Sequence, residues 1–147
     1  LEKVCPYCFE IEASAEMAST ESGKKLTLKD LVLACKRDVE GSFVLIEGAG
    51  GLYSPIAEAT LNVDLAVELQ LPVLIVIRDE LGAISQALLT LEAAKKNKLT
   101  VACVVLNVVN SNNLSNKEAL AAYTETPIIS FSQGDLGAFC SEIEKLI

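Results

Sequence analysis

The sequence predicts an α/β fold in which a doubly wound, mostly parallel sheet carries helices on both faces. Three observations predict it: continuous apolar runs, helical patterns between those runs, and 51% hydrophobic residues in a chain of 147. Runs that are apolar at every position are typical of strands covered on both sides, as in parallel sheets. We therefore expect residues 1–147 to form a single α/β domain.

Four segments have the composition of buried strands, because they are rich in Val, Ile and Leu without polar interruption. They lie at residues 43–47, 72–77, 101–107 and 127–131. Polar residues stand at the ends of these segments, namely Glu47, Arg78, Asn107 and Ser132. Doubly wound sheets bind ligands outside the carboxyl ends of their strands, so this edge is a candidate site.

Helical patterns separate the predicted strands, as the alternation of an α/β fold requires. Thr27 and Asp30 have the spacing of a capping box and predict a helix over residues 28–40. Four further helices are predicted to begin at or just after Asn62, Ala83, Ser115 and Asp135. The alternation predicts right-handed crossovers between parallel strands.

Charge and composition exclude several classes of function. The formal charge is −8, with 12 Lys and Arg against 20 Asp and Glu, so nucleic acid and anionic membranes are poor partners. The apolar runs are far shorter than the roughly 20 residues of a membrane span. The chain has no His, which excludes imidazole acid–base catalysis and His-ligated zinc.

The most informative motif is Glu47 followed by Gly48, Ala49, Gly50 and Gly51. Glycines let backbone amides approach a phosphate or carboxylate closely, and a carboxylate beside such a loop can hold Mg²⁺. A tight turn with a solvated Glu explains the same pattern equally well. The loop is not a Walker A motif, since no Lys-Ser or Lys-Thr follows the glycines.

Five cysteines raise the question of thiol chemistry. Cys5-Pro6-Tyr7-Cys8 matches the active-site sequence of glutaredoxins, in which a thiolate lies at a helix N-terminus. An acidic, β-leaning stretch follows Cys8 instead of a helical pattern, so a thiol oxidoreductase is an alternative with little support. Cys35 and Cys103 are predicted to be buried, and a reducing, cytoplasmic location is expected.

The motifs together resemble the second half of the dethiobiotin synthetase family. The resemblance rests on the glycine loop within residues 44–56, the strand and helix within residues 64–96, and the strand that ends in Asn107. Residues 4–19 resemble the family's Pro-Tyr-x-Phe segment and the helix that follows it, so the two nearby cysteines coincide with that segment. The similarity extends over about residues 4–131.

The resemblance implies a P-loop NTPase-like fold and an ATP- and Mg²⁺-dependent ligase of biotin biosynthesis. Such an enzyme closes the ureido ring of dethiobiotin from 7,8-diaminopelargonate and CO₂, and it is expected to be a cytoplasmic homodimer. By position, Glu47 is similar to the Mg²⁺ ligand, and Gly50 to the amide that meets the substrate amine or carbamate. The expected ATP-binding residues are Glu47, Gly48, Ala49, Gly50, Gly51, Asn107, Val108, Gln133, Gly134 and Asp135.

The substrate contacts implied by the resemblance are Gly50, Leu81 and Ser85, the last two at a helix start that reaches the partner's substrate. The chain departs from the family pattern at Ala15-Glu16, at Ser85 and at residues 130–133. The family's phosphate loop and catalytic Lys are also not found in this sequence, so no catalytic residue is assigned. We expect the chain alone to be inactive, and a noncatalytic interaction protein with a decayed site remains an alternative.

Overall fold

The computed structural model describes residues 5–36 and 44–146, which divide into two compact units at Gln70 and Leu71. The first unit contains helices α1 (Ala15–Glu21), α2 (Leu28–Cys35) and α3 (Asn62–Leu69). It also contains strands β1 (Pro55–Ala57) and β2 (Thr60–Leu61). The single domain expected over residues 1–147 stays a prediction.

The short strands β1 and β2 form an antiparallel hairpin, which the sequence analysis did not predict. Pro55 pairs with Leu61 and Ala57 with Thr60, and Ala59 in the turn has a φ of 48°. Strands of three and two residues are too short to show a periodic pattern, so no hydrophobic signal marks them. The hairpin places Ile56 and Ala57 in the core of the first unit, with Leu26, Leu31, Val32 and Leu65.

Helix α2 confirms the predicted capping box. The Thr27 amide donates to Asp30 Oδ2 over 2.9 Å, and the Asp30 amide donates to Thr27 Oγ1 over 3.3 Å. These two hydrogen bonds satisfy amides that the first turn of a helix leaves without partners. The helix ends at Cys35, and residues 37–40 of the predicted helix lie outside the described residues.

The predicted strand at residues 43–47 is wrong for the part that the structure describes. Residues 44–47 form no strand, and the side chains of Val44 and Leu45 are 47% and 70% exposed. A strand requires a neighbour for its backbone hydrogen bonds. No described segment pairs with residues 44–47, so an apolar run alone does not make a strand here.

The second unit contains a three-stranded parallel sheet and three helices. Its strands are β3 (Val73–Arg78), β4 (Val101–Val108) and β5 (Ile128–Ser132), with β4 in the centre. Its helices are α4 (Ala83–Lys96), α5 (Asn116–Ala121) and α6 (Leu136–Ile143). Three of the four predicted strands are therefore confirmed within one residue at each end.

Helices of the second unit pack on both faces of its sheet, although Val76 of β3 is 63% exposed. Val104 and Leu106 of β4 face one side, in a cluster with Ala83, Ala87 and Leu120 of α4 and α5. Cys103 and Val105 face the other side, where Phe139 and Ile143 of α6 pack. This arrangement, with two parallel crossovers, confirms the predicted α/β class with helices on both faces. No helix in residues 5–36 and 44–146 has the length and apolar character needed to cross a membrane.

Candidate functional site

The glycine loop is held by the side chain of Asn62, a role that the sequence analysis missed. Asn62 Nδ2 donates to the carbonyl oxygens of Ala49, Gly51 and Ser54, at 2.7, 3.0 and 3.3 Å. Asn62 was predicted as a helix cap, and this is wrong. Leu61 is the capping residue of α3, and its amide donates to Asp64 Oδ2 over 2.8 Å. The Asp64 carboxylate therefore accepts the capping hydrogen bond, and the side-chain amide of Asn62 binds the glycine loop instead.

Close packing explains why two positions of the loop are glycine. A Cβ atom at Gly48 would lie 2.5 Å from Asn62 Oδ1, and one at Gly50 would lie 2.6 Å from Ser54 Oγ. Gly50 also has a φ of 79°, where side chains other than that of glycine are strained. Asn62 Oδ1 itself is buried without a hydrogen-bond partner among the described residues. These distances predict that the loop conformation is sensitive to a side chain added at Gly48 or Gly50.

The backbone amides of the glycine loop differ in whether they already donate a hydrogen bond. The Gly51 amide donates to Ser54 Oγ over 2.9 Å, so it is already occupied. Within the described residues, the amides of Gly48, Ala49 and Gly50 donate to no other protein group. Three consecutive free amides in an exposed loop can hydrogen-bond the oxygens of an anion.

Glu47 precedes this loop and is exposed. Among the described residues its carboxylate has no ion pair, and no group of three or more Cys, Asp or Glu side chains could hold a metal ion. Mg²⁺ is commonly bound through one or two carboxylates, with water and substrate phosphate completing its shell. A single hard, unpaired carboxylate beside free amides therefore fits Mg²⁺ bound together with a phosphate.

In the second unit, the structure brings the predicted polar strand ends to one edge of the sheet. Arg78 pairs with Asn107, and Val108 pairs with Ser132 in the register of neighbouring strands. Arg78 Nε lies 3.3 Å from Glu80 Oε2, and both side chains are about half exposed. Glu47 ends no described strand, so it takes no part in the strand register that forms this edge.

Asn107 has a fixed backbone and an available side chain. Its carbonyl oxygen accepts hydrogen bonds from the amides of Asp79 (2.8 Å) and Val109 (3.1 Å). Its side-chain amide has no hydrogen-bond partner among the residues that the structure describes, and it can both donate and accept. These are the requirements for pairing with the edge of a purine base.

A pair of asparagines that the sequence analysis missed supports this edge. Asn116 Nδ2 donates to Asp79 Oδ1 over 2.6 Å, and Asn112 Nδ2 donates to the Asp79 carbonyl oxygen over 2.8 Å. Asn116 is only 8% exposed. The one sequence feature that could have indicated its structural role is its position as the first residue of α5. The side chains of Asn112 and Asn116 thus hydrogen-bond the segment after β4 to Asp79, which follows the end of β3.

The other predicted nucleotide residues follow β5. Ser132 Oγ lies 3.1 Å from Asp135 Oδ2, and the Asp135 amide donates to the Ser132 carbonyl oxygen. Gly134 has a φ of 127°, so it suits the turn between them. Gln133, Gly134 and Asp135 are exposed and lie next to the strand end that carries Val108.

The start of α4 presents the predicted substrate residues to solvent. Leu81 is 89% exposed, and Ser85 is exposed and makes no described hydrogen bond. Gly82 is the capping residue, with a φ of 98°. Leu89 is also largely exposed, and the spacing of four places it on the same stripe of the helix as Ser85.

One departure from the family pattern has a structural role. Glu16, in α1, accepts a hydrogen bond at Oε1 from the amide of Ala59 in the hairpin turn, over 3.2 Å. Ser14 caps the same helix by accepting from the Met17 amide. The Ala15-Glu16 pair therefore connects α1 to the hairpin, so a decayed site is not needed to explain it.

The structure does not support a glutaredoxin-like centre at Cys5 and Cys8. Both thiols are exposed, and the next helix begins only at Ala15, so neither sulfur lies at a helix N-terminus. A hydrogen bond to Cys5 and repulsion from its charged form raise the pKa of the Cys8 thiol. Burial raises the pKa of Cys35 and Cys103. Cys103 is fully buried as predicted, whereas Cys35, also predicted to be buried, is only partly so.

Comparison with known proteins identifies the family. Residues 2–131 match a family described as an AAA domain. Over 147 residues the chain is 48% identical to the ATP-dependent dethiobiotin synthetase BioD of Vesicomyosocius okutanii subsp. Calyptogena okutanii (strain HA), covering all of this chain and 67% of that protein. It is 46% identical to the protein of the same name from Ruthia magnifica subsp. Calyptogena magnifica, covering 100% and 68%. The protein of that name from Bacillus thuringiensis subsp. konkukian (strain 97-27) is 34% identical, with 96% of this chain and 60% of that protein covered.

The chain thus spans roughly two thirds of the length of these relatives. Because the similarity to the first two covers the whole of this chain, the chain belongs to the dethiobiotin synthetase family.

Proposed function

We propose that this chain serves the ATP- and Mg²⁺-dependent closure of the ureido ring of dethiobiotin from 7,8-diaminopelargonate and CO₂, in biotin biosynthesis. Membership of the dethiobiotin synthetase family supports this ligase reaction. The observation that carries it is the glycine loop after Glu47, which offers the free amides of Gly48, Ala49 and Gly50.

In the proposed reaction, one amine of the substrate takes up CO₂ as a carbamate, which then accepts the γ-phosphoryl group of ATP. The second amine attacks the carbamate carbon, and phosphate leaves as the ring closes. Nearly all of the rate enhancement in such chemistry comes from positioning and from stabilising negative charge. The free amides of the loop are suited to both tasks, because they are fixed in place before the substrate arrives.

Glu47 is the residue that we assign to the metal. When bound, Mg²⁺ would neutralise negative charge on phosphate oxygens. The Glu47 carboxylate is exposed and has no described ion pair, so no existing ion pair has to break when it binds a cation.

We assign the adenine base to the edge of the sheet in the second unit. The Asn107 side chain would pair with the base, Val108 would contact it, and Gln133, Gly134 and Asp135 would form the loop beside it. The available Asn107 amide and the neighbouring position of Val108 and Ser132 support this assignment.

The proposal includes a cytoplasmic homodimer. Ser85 and Leu89 form an exposed stripe at four-residue spacing on α4, and Leu81 is exposed just before the helix begins. A second copy would cover the two leucines and bring Leu81 and Ser85 to the substrate of its partner. The described cysteines form no disulfide, which agrees with a reducing compartment.

Replacing the metal-binding carboxylate tests the proposed function. Glu47→Ala in the complete enzyme is expected to lower turnover of diaminopelargonate by more than about tenfold, which corresponds to roughly 1.4 kcal/mol. Glu68→Ala, an exposed glutamate on α3 of the same unit, is the matched control and is expected to keep full activity. Melting curves check that both variants fold. Turnover of Glu47→Ala within tenfold of the wild type would mean that this carboxylate binds no catalytic metal.

We also infer that these 147 residues alone do not catalyse the reaction. Phosphoryl transfer needs cations around the phosphates, whereas the sequence has no Walker A motif and carries a charge of −8. Calorimetry with ATP and Mg²⁺, together with a diaminopelargonate assay, measures this directly. Ureido product formed by the isolated chain would overturn the inference.

A further inference from the structure

Cys5 and Cys8 lie within reach of each other in the first unit. The Cys8 thiol donates to Cys5 Sγ over 3.5 Å, and the Cys5 thiol donates to the Tyr7 carbonyl oxygen over 3.4 Å. A disulfide requires a sulfur separation of about 2.05 Å, so the two atoms must approach each other by about 1.5 Å. The pair is therefore a vicinal dithiol by geometry.

Solvent and small molecules reach both sulfurs. Cys5 and Cys8 are exposed, and Cys8 lines an open hollow of about 220 Å³ together with Phe9 and Ile11. The segment is nevertheless anchored, because Tyr7 and Phe9 pack against the core of the first unit. Anchoring on both sides of Cys8 keeps the two thiols near each other.

From these contacts we propose that Cys5 and Cys8 are a modification site, which closes to an intramolecular disulfide by exchange with a low-molecular-weight disulfide such as oxidised glutathione. The first cysteine thiolate attacks a glutathione sulfur, which forms a mixed disulfide and releases one glutathione thiolate. The second cysteine thiolate then attacks the cysteine sulfur of that mixed disulfide and releases the second glutathione. The protein loses two electrons and two protons, and one oxidised glutathione becomes two reduced molecules.

The proximity of the two sulfurs favours the second step. An intramolecular thiol at 3.5 Å has an effective concentration far above that of glutathione in solution, so the mixed disulfide resolves within the chain. The raised pKa of the Cys8 thiol lowers the thiolate fraction at this position.

The other described cysteines offer a natural control. Cys140 is exposed on α6 but has no thiol beside it among the described residues, while Cys35 and Cys103 are partly or fully buried. An exposed single thiol can form a mixed disulfide with glutathione, but it has no neighbour to displace it.

Peptide mapping of the oxidised chain tests the proposal. Trypsin cleaves after Lys3 and Lys24, so residues 4–24 form one peptide that contains Cys5 and Cys8 and no other cysteine. After treatment of the folded, reduced chain with oxidised glutathione and alkylation of the remaining thiols, we expect this peptide to lack two hydrogen atoms and to carry neither glutathione nor alkyl groups. The Cys140 peptide is expected to carry glutathione.

Single substitutions make the result decisive. Cys5→Ser and Cys8→Ser each remove one partner, so peptide 4–24 is expected to retain glutathione on the remaining cysteine. Cys140→Ser is expected to leave the closure of peptide 4–24 unchanged. The proposal is overturned if the wild-type peptide carries glutathione at either cysteine, or stays reduced under conditions that modify Cys140. Because the measurement uses no ATP or substrate, its outcome is independent of the proposed ligase activity.

Discussion

The two candidate binding regions are built in opposite ways. In the first unit, the conformation of the glycine loop depends on side chains, with three carbonyl oxygens bound to the one amide of Asn62. In the second unit, Asn107 is placed by the hydrogen-bonded register of a parallel sheet, in which β4 pairs on both sides. The side chain of Asn62 thus adds three hydrogen bonds to the few backbone bonds of the first region, whereas backbone bonds along two neighbouring strands fix the second.

This difference teaches where each region is vulnerable. The glycine loop tolerates little change at two positions, because a Cβ at Gly48 or Gly50 would lie less than 3 Å from the side chain of Asn62 or Ser54. The sheet edge depends instead on buried packing and on the Asn116 side chain behind it. Point changes should therefore disturb activity most in the first region and stability most in the second.

Gly48→Ala is expected to have the largest effect. Its Cβ would lie 2.5 Å from Asn62 Oδ1, so the loop must shift, and turnover of the complete enzyme should fall at least about tenfold, roughly 1.4 kcal/mol of transition-state stabilisation. Gly137→Ala on α6 is the matched control, since nothing lies within 4 Å of its added Cβ. Steady-state kinetics of both variants make the comparison.

A double substitution sharpens this test. Asn62→Ala alone should also lower activity, because it removes the hydrogen bonds that hold the loop. Since it also removes the oxygen that the new methyl group meets, Gly48→Ala with Asn62→Ala should be less harmful than the sum of the two single changes. Simple additivity would show that the two residues act separately.

Asn116→Ala is expected to act on stability, with a smaller effect on turnover. The substitution leaves the Asp79 carboxylate without its donor at 2.6 Å and should lower the free energy of unfolding by about 1–3 kcal/mol. Asn113→Ala, an exposed position in the same loop, should change stability little. Urea unfolding of the two variants measures the difference, and equal stabilities would remove Asn116 from the support of this edge.

The smallest expected effect concerns the pH dependence of α2, outside both regions. Hydrogen bonds from the Thr27 hydroxyl and amide hold the pKa of Asp30 below its ordinary value. The stabilisation is therefore fully present above the pKa of an aspartate in the unfolded chain, and it is lost as the pH falls through the lowered folded value. Melting temperatures between neutral pH and pH of about 3 should fall less for Asp30→Asn than for the wild type. Parallel curves would show that the capping box contributes nothing to acid sensitivity.

The sequence was sufficient where burial alone decides structure. The run that became β4 is covered on both sides, and those of β3 and β5 pack against the same apolar clusters, so their apolar composition predicted both the strands and the edge that carries Asn107. The family, too, could be predicted, because its glycine-loop and strand motifs are specific. The roles assigned to Glu47, Gly48, Asn107 and the residues after β5 stay predictions.

The errors occurred where structure depends on a partner that no local pattern reveals. Residues 44–47 have the composition of a strand but no described neighbour to pair with. Asn is a residue type favoured at the N-cap of a helix. At α3, however, the Asp64 carboxylate accepts the hydrogen bond from the Leu61 amide, and the Asn62 side chain binds the glycine loop instead. Which of two similar polar side chains forms a given hydrogen bond depends on the distances between chain segments. Residue propensities carry no information about those distances.

The central position of β4 also has a consequence for motion. Amide hydrogens exchange with solvent only when their hydrogen bonds open, and a strand paired on both sides within two apolar layers opens last. Asn107 pairs with Arg78 on one side and with Phe131 on the other, so both neighbouring strands hold its backbone. A base bound there would meet a preordered partner and would lose little affinity to ordering of the backbone.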